Sequence, residues 1–529
     1  MNGSIAGEAN PRELPARRGL VTSVIDGAPV TDGHTLPSTN PARLDEVVGE
    51  VSFGDASTFV RAAESAKKAQ ESWAAIPAPI RGRAIAHIGR LIEDNAEALA
   101  RLVTAEIGKP YGEALGEVRE IIDTCDFFLG EGRRLHGQTV PSEMPDKQLF
   151  TFRRPVGTVA VITAGNFPVA VPSWYIVPAL LAGNTVVWKP AEYSAVSSAA
   201  FHELFVRGGG LPDGVFNVVH ADGAATFSGL EQALEAGVID KVGFTGSSAV
   251  GRQIGALTGR CLQTACLELG GKNPLLVTPS ADLDLAVEGA LFSGFGTAGQ
   301  RCTSLGTVIV HESVHDQFLT RFNAALADAR VGDPTQDVLM GPLMDAKFAE
   351  RFEEFLTWVQ PHHVVQAAHG KISEENPRNG FIGDSSTGLY YHPVVVDGVR
   401  PGDRIFMEET FGPIVGVASY QSLTEAIEMA NAPGYGLSSS IYTTDPKDAF
   451  TFRDKISAGM VSINNSTSGA EAHLPFGGNG KSGNGSRQSG MWVLDQFTRW
   501  QAMNWDYSGR LQKAQMDIVE LTPDTTFRL

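Results

Sequence analysis

The rhythm of apolar residues changes near position 158, and that change restricts the chain more than any other feature. Val159-Ala160-Val161-Ile162 is a short apolar run. A helical stretch around Pro172 to Leu181 follows, and then Thr185-Val186-Val187-Trp188. Further helical stretches precede Val215-Phe216-Asn217-Val218-Val219 and Val242-Gly243-Phe244-Thr245. Apolar runs of this length, alternating with helical patterns, predict parallel strands joined by crossover helices. Such an α/β sheet is covered on both faces and binds ligands beyond the carboxyl ends of its strands.

Upstream the pattern is helical from Asp55 to Gly108. Ala62, Ala63, Ala66, Ala69 and Trp73 recur at three- and four-residue spacing, with Asp55 or Ser57 as cap. Pro77 and Pro79 break this run. A second run, Arg81 to Glu106, carries Ile85, Ile88, Leu91 and Ile92 on one face and stops at Gly108 and Pro110. After Leu275-Leu276-Val277 a second α/β unit extends to about Asn464, through Val308-Ile309-Val310, Ile414-Val415-Gly416-Val417 and Ser438-Ser439-Ser440-Ile441-Tyr442. Lys147 to Arg154 and the tail beyond Met491 lie outside both alternations. A chain of 529 residues exceeds one ordinary core, so two or more domains are expected.

Charge and cysteine usage exclude several functions. The net charge is −18 with no basic tract, so nucleic acid is not an expected partner. The first nineteen residues lack the apolar core of a secretory signal, and their arginines lack the amphipathic run of a transit peptide. No stretch approaches the ~20 apolar residues of a membrane span. No membrane association and a cytoplasmic address are the expectation. Cys125, Cys261, Cys266 and Cys302 do not make a disulfide framework. Without Cys-x-x-Cys or His-Glu-x-x-His spacing no metal is expected, and adjacent His362 and His363 read as solvated.

Three residues are candidates for chemistry. Cys302, in Gly-Gln-Arg-Cys-Thr, is a nucleophile if Arg301 or a helix N-terminus lowers its pKa; inert packing is the commoner fate of a lone cysteine. Glu268, between two leucines and before Gly270-Gly271, is placed for partial burial, which raises a carboxylate's pKa towards that of a general base. The alternative is an ion pair with Lys272. Asn166 follows a strand end and aims its amide into the crevice, or simply forms a turn. The usual Gly-x-Gly-x-x-Gly fingerprint is absent; Gly246 and Ser247 instead open a helix whose N-terminus suits a phosphate, although many ordinary turns look alike.

Seven motifs occur in order: Asn-Phe-Pro (166–168), Lys-Pro-Ala-Glu (189–192), Phe-Thr-Gly-Ser (244–247), Glu-Leu-Gly-Gly (268–271), Gly-Gln-Arg-Cys (299–302), Glu-Glu-Thr-Phe-Gly-Pro (408–413) and Pro-Phe-Gly-Gly (475–478). Together they resemble the aldehyde dehydrogenase superfamily from about Asp32 to Tyr507. The resemblance implies a Rossmann-type cofactor domain (20–142 and 158–267), an α/β catalytic domain (268–478) and a β oligomerisation arm (143–157 and 479–510). A C-terminal tail (511–529) follows, and a homodimer or homotetramer is implied. Position by position it makes Cys302 the nucleophile, Glu268 the base and Asn166 the oxyanion donor. Lys189 and Glu192 would meet the adenosine ribose, Gly246 and Ser247 the pyrophosphate, and Glu409 and Phe411 the nicotinamide ribose and ring. Thr163 and Leu269 join them as cofactor contacts. Glu192 favours NAD, with NADP as the alternative. The expected activity is NAD-dependent oxidation of a small-molecule aldehyde to a carboxylate through a cysteine thiohemiacetal and thioester. A coenzyme A-acylating relative and a non-catalytic member are alternatives; Glu268, which would divert the thioester to water, speaks against the first, and the retained Cys302, Glu268 and Asn166 speak against the second.

Residues 116–120, 163–171, 297–303 and 467–471 are most similar to the α-aminoadipic semialdehyde dehydrogenase branch. That likeness implies that Glu120, Arg301, Gly469 and Ala470 hold the polar end of an acidic or amino-acid semialdehyde. Arg suits a carboxylate because its fork donates two parallel hydrogen bonds. Phe167, Trp174 and Phe476 would line the aldehyde tunnel. A general aliphatic or aromatic aldehyde is the alternative. Departures from the branch are the Lys189–Glu192 form, Ala472-His473-Leu474 and a longer tail; Gly165 replaces the bulky aromatic of many superfamily relatives.

Overall fold

The computed structural model describes residues 19–366 and 369–529. The amino-terminal stretch read for targeting signals lies, up to Arg18, outside the described residues.

The predicted alternation is present. Strands Thr158–Ile162, Thr185–Lys189, Phe216–Val218, Lys241–Thr245 and Ala265–Glu268 are parallel, joined by helices Ala170–Ala182, Ala195–Glu203, Gly223–Glu235 and Ser248–Arg260. Every residue of Thr158–Ile162 and Thr185–Lys189 is buried, which explains why these strands read as continuous apolar runs rather than alternating ones. The sheet order runs Ala265–Glu268, Lys241–Thr245, Thr158–Ile162, Thr185–Lys189, Phe216–Val218, and then an antiparallel hairpin, Ser23–Ile25 with Ala28–Val30. Chain direction across the sheet therefore reverses between Thr158–Ile162 and Lys241–Thr245. The crevice beyond their carboxyl ends is the place for a ligand.

A second seven-stranded sheet contains Val394–Asp397, Ile414–Tyr420, Leu305–His311, Asn273–Val277, Ser438–Tyr442 and Met460–Ile463 in that spatial order, all parallel, with Val364–Gln366 antiparallel at one edge. Strand Lys147–Pro155 pairs antiparallel with Thr498–Asp506 over nine residues and with Thr139–Val140 on its other side. Residues 511–529 form no helix or strand. Among the described residues no helix is long and apolar enough to cross a membrane.

Two local expectations change. The run from Arg81 to Glu106 is two helices, Ala78–Asp94 and Ala96–Ile107. They part at Asn95 (φ −112°, ψ 11°), whose side chain donates back to Leu91 O at 2.7 Å and so competes with the helical ladder. Glycine 108 ends the second helix in the left-handed region (φ 70°), as its sequence position implied. The strands before Asp55 were not anticipated, yet Asp26-Gly27 (φ 53° and 74°) is a two-residue hairpin turn with a legible Asp-Gly signal. Asp55 itself caps helix Ala56–Ala75, accepting from Ser57 N and Thr58 N.

Candidate active site

Cys302 lies on a loop between helix Leu283–Phe295 and strand Leu305–His311, in the second sheet's half of the molecule. Glu268 ends the edge strand of the first sheet. Cys302 opens onto a cavity of about 450 Å³ that Phe167, Trp174, Phe476, Glu120 and Arg301 also line, and Glu268 stands near enough for its charge to act on the thiol.

The loop that carries Cys302 is strained. Thr297 (φ 50°), Ala298 (φ 53°) and Gly299 (φ 67°) are consecutive left-handed residues, and the first two carry a Cβ. Each such non-glycine residue costs about 1–2 kcal/mol, so distant side chains must hold the turn. Asn273 Nδ2 donates to Cys302 O (2.9 Å) and Ser304 O (2.7 Å), Thr467 Oγ1 to Thr303 O (2.7 Å), and Met344 N to Gln300 Oε1 (3.1 Å). Asn166 Nδ2 donates to Gln300 O at 2.9 Å, so the residue expected at the crevice is docked on the nucleophile's own loop.

The Cys302 thiol corrects one expectation. Burial, and then the charges of Glu268 and Glu409, push it up to about 12. Arg301 does not lower it, because its guanidinium turns away to Glu113, with Nε on Thr297 Oγ1 (3.3 Å) and the Phe292 ring 4.4 Å from Cζ. No helix begins at Cys302 either. Glu268 is fully buried, and burial raises its pKa well above the usual carboxylate value. Its Oε2 accepts from Gly478 N at 3.0 Å, whereas Oε1 is buried without a partner. Lys272 is not that partner; its Nζ donates to Thr410 Oγ1 (2.9 Å) and burial brings it down to about 7.

The far wall of the cavity comes from helix Tyr111–Arg134. Lys109 and Glu117 form a buried pair, and Glu117 Oε1 accepts from Val169 N (2.9 Å) and Ala170 N (3.1 Å), capping helix Ala170–Ala182. Lys109 Nζ also lies 3.5 Å from the Phe167 ring centroid. Burial, and then Glu117, push Glu120 up to about 8; its Oε2 is buried with no partner. Gly469 and Ala470 also line the cavity, as do Trp174 and Phe476, whose rings are tilted at 45° with centroids 4.8 Å apart. The space at Gly165 is filled by Tyr193: a Cβ there would meet the Tyr193 ring at 2.5 Å.

Beyond the carboxyl ends of the first sheet stand the remaining predicted residues. Gly246 leaves strand Lys241–Thr245, and Ser247 caps the next helix, accepting from Val250 N at 3.3 Å. Thr163 Oγ1 accepts from Trp188 Nε1 (3.0 Å), and Leu269 N donates to Ser482 O (2.8 Å). Lys189 Nζ is 3.4 Å from Glu192, and Lys347 Nζ is 3.9 Å from it. Glu409 Oε1 accepts from Gly271 N (3.1 Å), burial raising its pKa to about 7; Phe411 lies 5.8 Å from Phe348. These groups offer a helix N-terminus, a partly exposed carboxylate and a buried acid.

Residues 30–503 match the aldehyde dehydrogenase family. The chain belongs to that family. It is 37% identical over 473 residues to the α-ketoglutarate semialdehyde dehydrogenase of Haloferax volcanii, covering 88% of this chain and 94% of the relative. It is 33% identical over 491 residues to the α-aminoadipic semialdehyde dehydrogenase of Mus musculus, covering 91% and 88%. Betaine aldehyde dehydrogenase from Staphylococcus aureus, solved in complex with NAD+, superposes with a TM-score of 0.87 at 30% identity, covering 93% of this chain and 96% of that one.

The motifs did not identify Glu113, Asn273 or Lys347. Asn273 had a readable signal, a polar residue opening the buried run Pro274–Val277. Glu113 had none, because its partners lie more than 180 positions away. His362 and His363 correct another expectation: His363 is buried, and both Nε2 atoms meet Asp403 Oδ2 at 3.1 and 2.9 Å. Among the described residues this is the group whose ligand atoms lie close enough for an ion. His363 Nδ1, however, accepts from Gln360 N (3.0 Å), which leaves the ring proton on Nε2 for Asp403.

Proposed function

We propose that this chain oxidises an aldehyde to a carboxylate with NAD+ as hydride acceptor, NADP+ being the alternative cofactor. The observation that carries this reading is Cys302 at the wall of a cavity, on a loop that Asn166 holds and within reach of the charge of buried Glu268. Cys302 Sγ attacks the aldehyde carbon, and its proton passes to a base. The developing alkoxide is met by the Asn166 side chain and the Cys302 backbone N–H; one such donor is worth roughly 3 kcal/mol of barrier. A nicotinamide dinucleotide, when bound, accepts the hydride. Cys302 then carries a thioester, and Glu268 Oε1, buried and without a partner, takes the proton of the water that hydrolyses it.

The cofactor fits this set of donors. Glu192 and Lys189 would hold the adenosine ribose, and Gly246 and Ser247 the pyrophosphate at a helix N-terminus. Thr163, Leu269, Glu409 and Phe411 would flank the nicotinamide end. Residues 20–142 and 158–267 serve as the cofactor domain, 268–478 as the catalytic domain, and 143–157 with 479–510 as an oligomerisation arm. Trp500, Met503 and Trp505, exposed on the edge strand Thr498–Asp506, support assembly of copies through that arm. Four free cysteines accord with a reducing, cytoplasmic setting.

The substrate class we propose is an acidic or amino-acid semialdehyde. Its support is the polar part of the cavity lining, Glu120 with Arg301 and Ser468, and the substrates named for the two relatives above. An NADH-release screen over aldehydes tests the reading, with Cys302→Ala as the blank. Loss of turnover with NAD+ binding retained is expected; turnover in the blank overturns the mechanism. Equal kcat/KM for a ω-semialdehyde and an alkanal of equal length overturns the substrate class.

A further inference from the structure

Arg301 is the sequence's candidate for holding a substrate carboxylate, yet its guanidinium is already engaged. Arg301 Nη2 pairs with Glu113 Oε2, and the same carboxylate bonds the Thr297 hydroxyl. Glu113 Oε1 accepts from Thr297 N at 3.1 Å. One acid on helix Tyr111–Arg134 thus grips the first left-handed residue of the nucleophile loop and the residue before Cys302. Both Glu113 and Arg301 line the cavity that holds Cys302, with side-chain exposures of 17% and 7%. The other cation on this wall, Lys109, is closed by Glu117. Glu120 is the remaining acid, and its field also reaches Arg301. Arg301 and Lys109 are thus each paired with a carboxylate.

We infer that Glu113 is a positioning and specificity-determining residue: by occupying Arg301 and holding the turn at Thr297, it presents Arg301 to the substrate as half of a neutral pair. A substrate carboxylate has to share Arg301 with an internal carboxylate. Selection for acidic aldehydes is weaker than a bare arginine would give, and the gain is a fixed Cys302 loop. An arginine fork can serve two carboxylates, so sharing is chemically reasonable. The inference rests on the reading of Cys302 as nucleophile, and its test separates the two.

The test compares alkylation of Cys302 by iodoacetate, an anion, and by iodoacetamide, its neutral counterpart. In each case Sγ bonds to the methylene carbon, iodide leaves and the thiol proton goes to solvent. The ratio of the two rates reports the local potential and needs no knowledge of the substrate. Glu113→Gln keeps an acceptor for Thr297 N but removes the anion. We expect it to raise the iodoacetate-to-iodoacetamide ratio roughly tenfold, as one uncovered charge in a partly buried site would. The KM of a carboxylate-bearing semialdehyde should fall relative to that of an alkanal. Arg301→Gln strips the pair the other way and should lower the ratio below wild type; it carries the test if E113Q does not fold. NAD+ binding should be unchanged in both. A ratio unmoved by both variants overturns the inference while leaving the nucleophile intact. Failure of either reagent to label Cys302 in the wild type overturns the nucleophile reading itself.

Discussion

The turn after strand Lys241–Thr245 and the loop before Cys302 both carry candidate site residues, but they are built in opposite ways. The turn is local: Gly246 leaves the strand, and Ser247 caps a regular helix within three residues of itself. The nucleophile loop is held from outside, by Glu113, Asn166, Asn273, Met344 and Thr467, and contains left-handed Thr297 and Ala298. A phosphate site needs only backbone N–H groups at a helix end. A thiol and its oxyanion donors need fixed positions relative to groups on other elements, so strain there is tolerated and offset by long-range bonds.

Substitutions can break this contrast, and the largest effect belongs to the loop. Asn166→Ala removes an expected oxyanion donor and frees Gln300 O; kcat should fall roughly 10²- to 10³-fold with NAD+ affinity unchanged, by steady-state kinetics and titration. Asn273→Leu leaves Cys302 O and Ser304 O without their donor and should cost about 2–3 kcal/mol in denaturant unfolding. A Tm equal to wild type would show that the loop holds itself. Ser247→Ala should cost about 1 kcal/mol and weaken NAD+ only a few-fold, the signature of a local cap. Smallest, and opposite in sign, Ala298→Gly relieves a positive φ and should be neutral to stabilising by up to about 1 kcal/mol.

Glu268 sharpens the comparison through pH. Burial raises its folded-state pKa above the unfolded value, so the protonated form is the one folding favours. Its contribution to stability is complete below the unfolded carboxylate pKa and is lost as pH rises through the folded one. Deacylation needs the carboxylate, so its rate should rise with pH through a limb displaced well above the ordinary carboxylate range. Glu268→Gln should abolish that limb, leave a burst of NADH, and make the protein more stable at alkaline pH. A pH profile identical to wild type would remove Glu268 from the base role.

The same division runs through what could be read in advance. The parallel strands, the Asp55 cap and the Gly108 stop were visible because each depends on periodicity or on one residue's backbone preference. The break at Asn95 was not, since a helical face continues across it and only the side chain's bond to Leu91 O ends the first helix. At the site, Cys302, Glu268 and Asn166 were recognisable by residue type and motif order. Their surroundings were misjudged: Arg301 faces Glu113 rather than the thiol, Lys272 faces Thr410 rather than Glu268, and His363 is buried against Asp403.

By itself, then, the sequence determined the α/β alternation, the family and the candidates for the reacting residues, because these follow from local patterning and from chemistry particular to one side chain. Only the tertiary structure decided how those residues are charged and held. Desolvation of Cys302 and Glu268, and the closure of Arg301 by Glu113, arise from atoms far apart in the chain brought together in a low-dielectric interior.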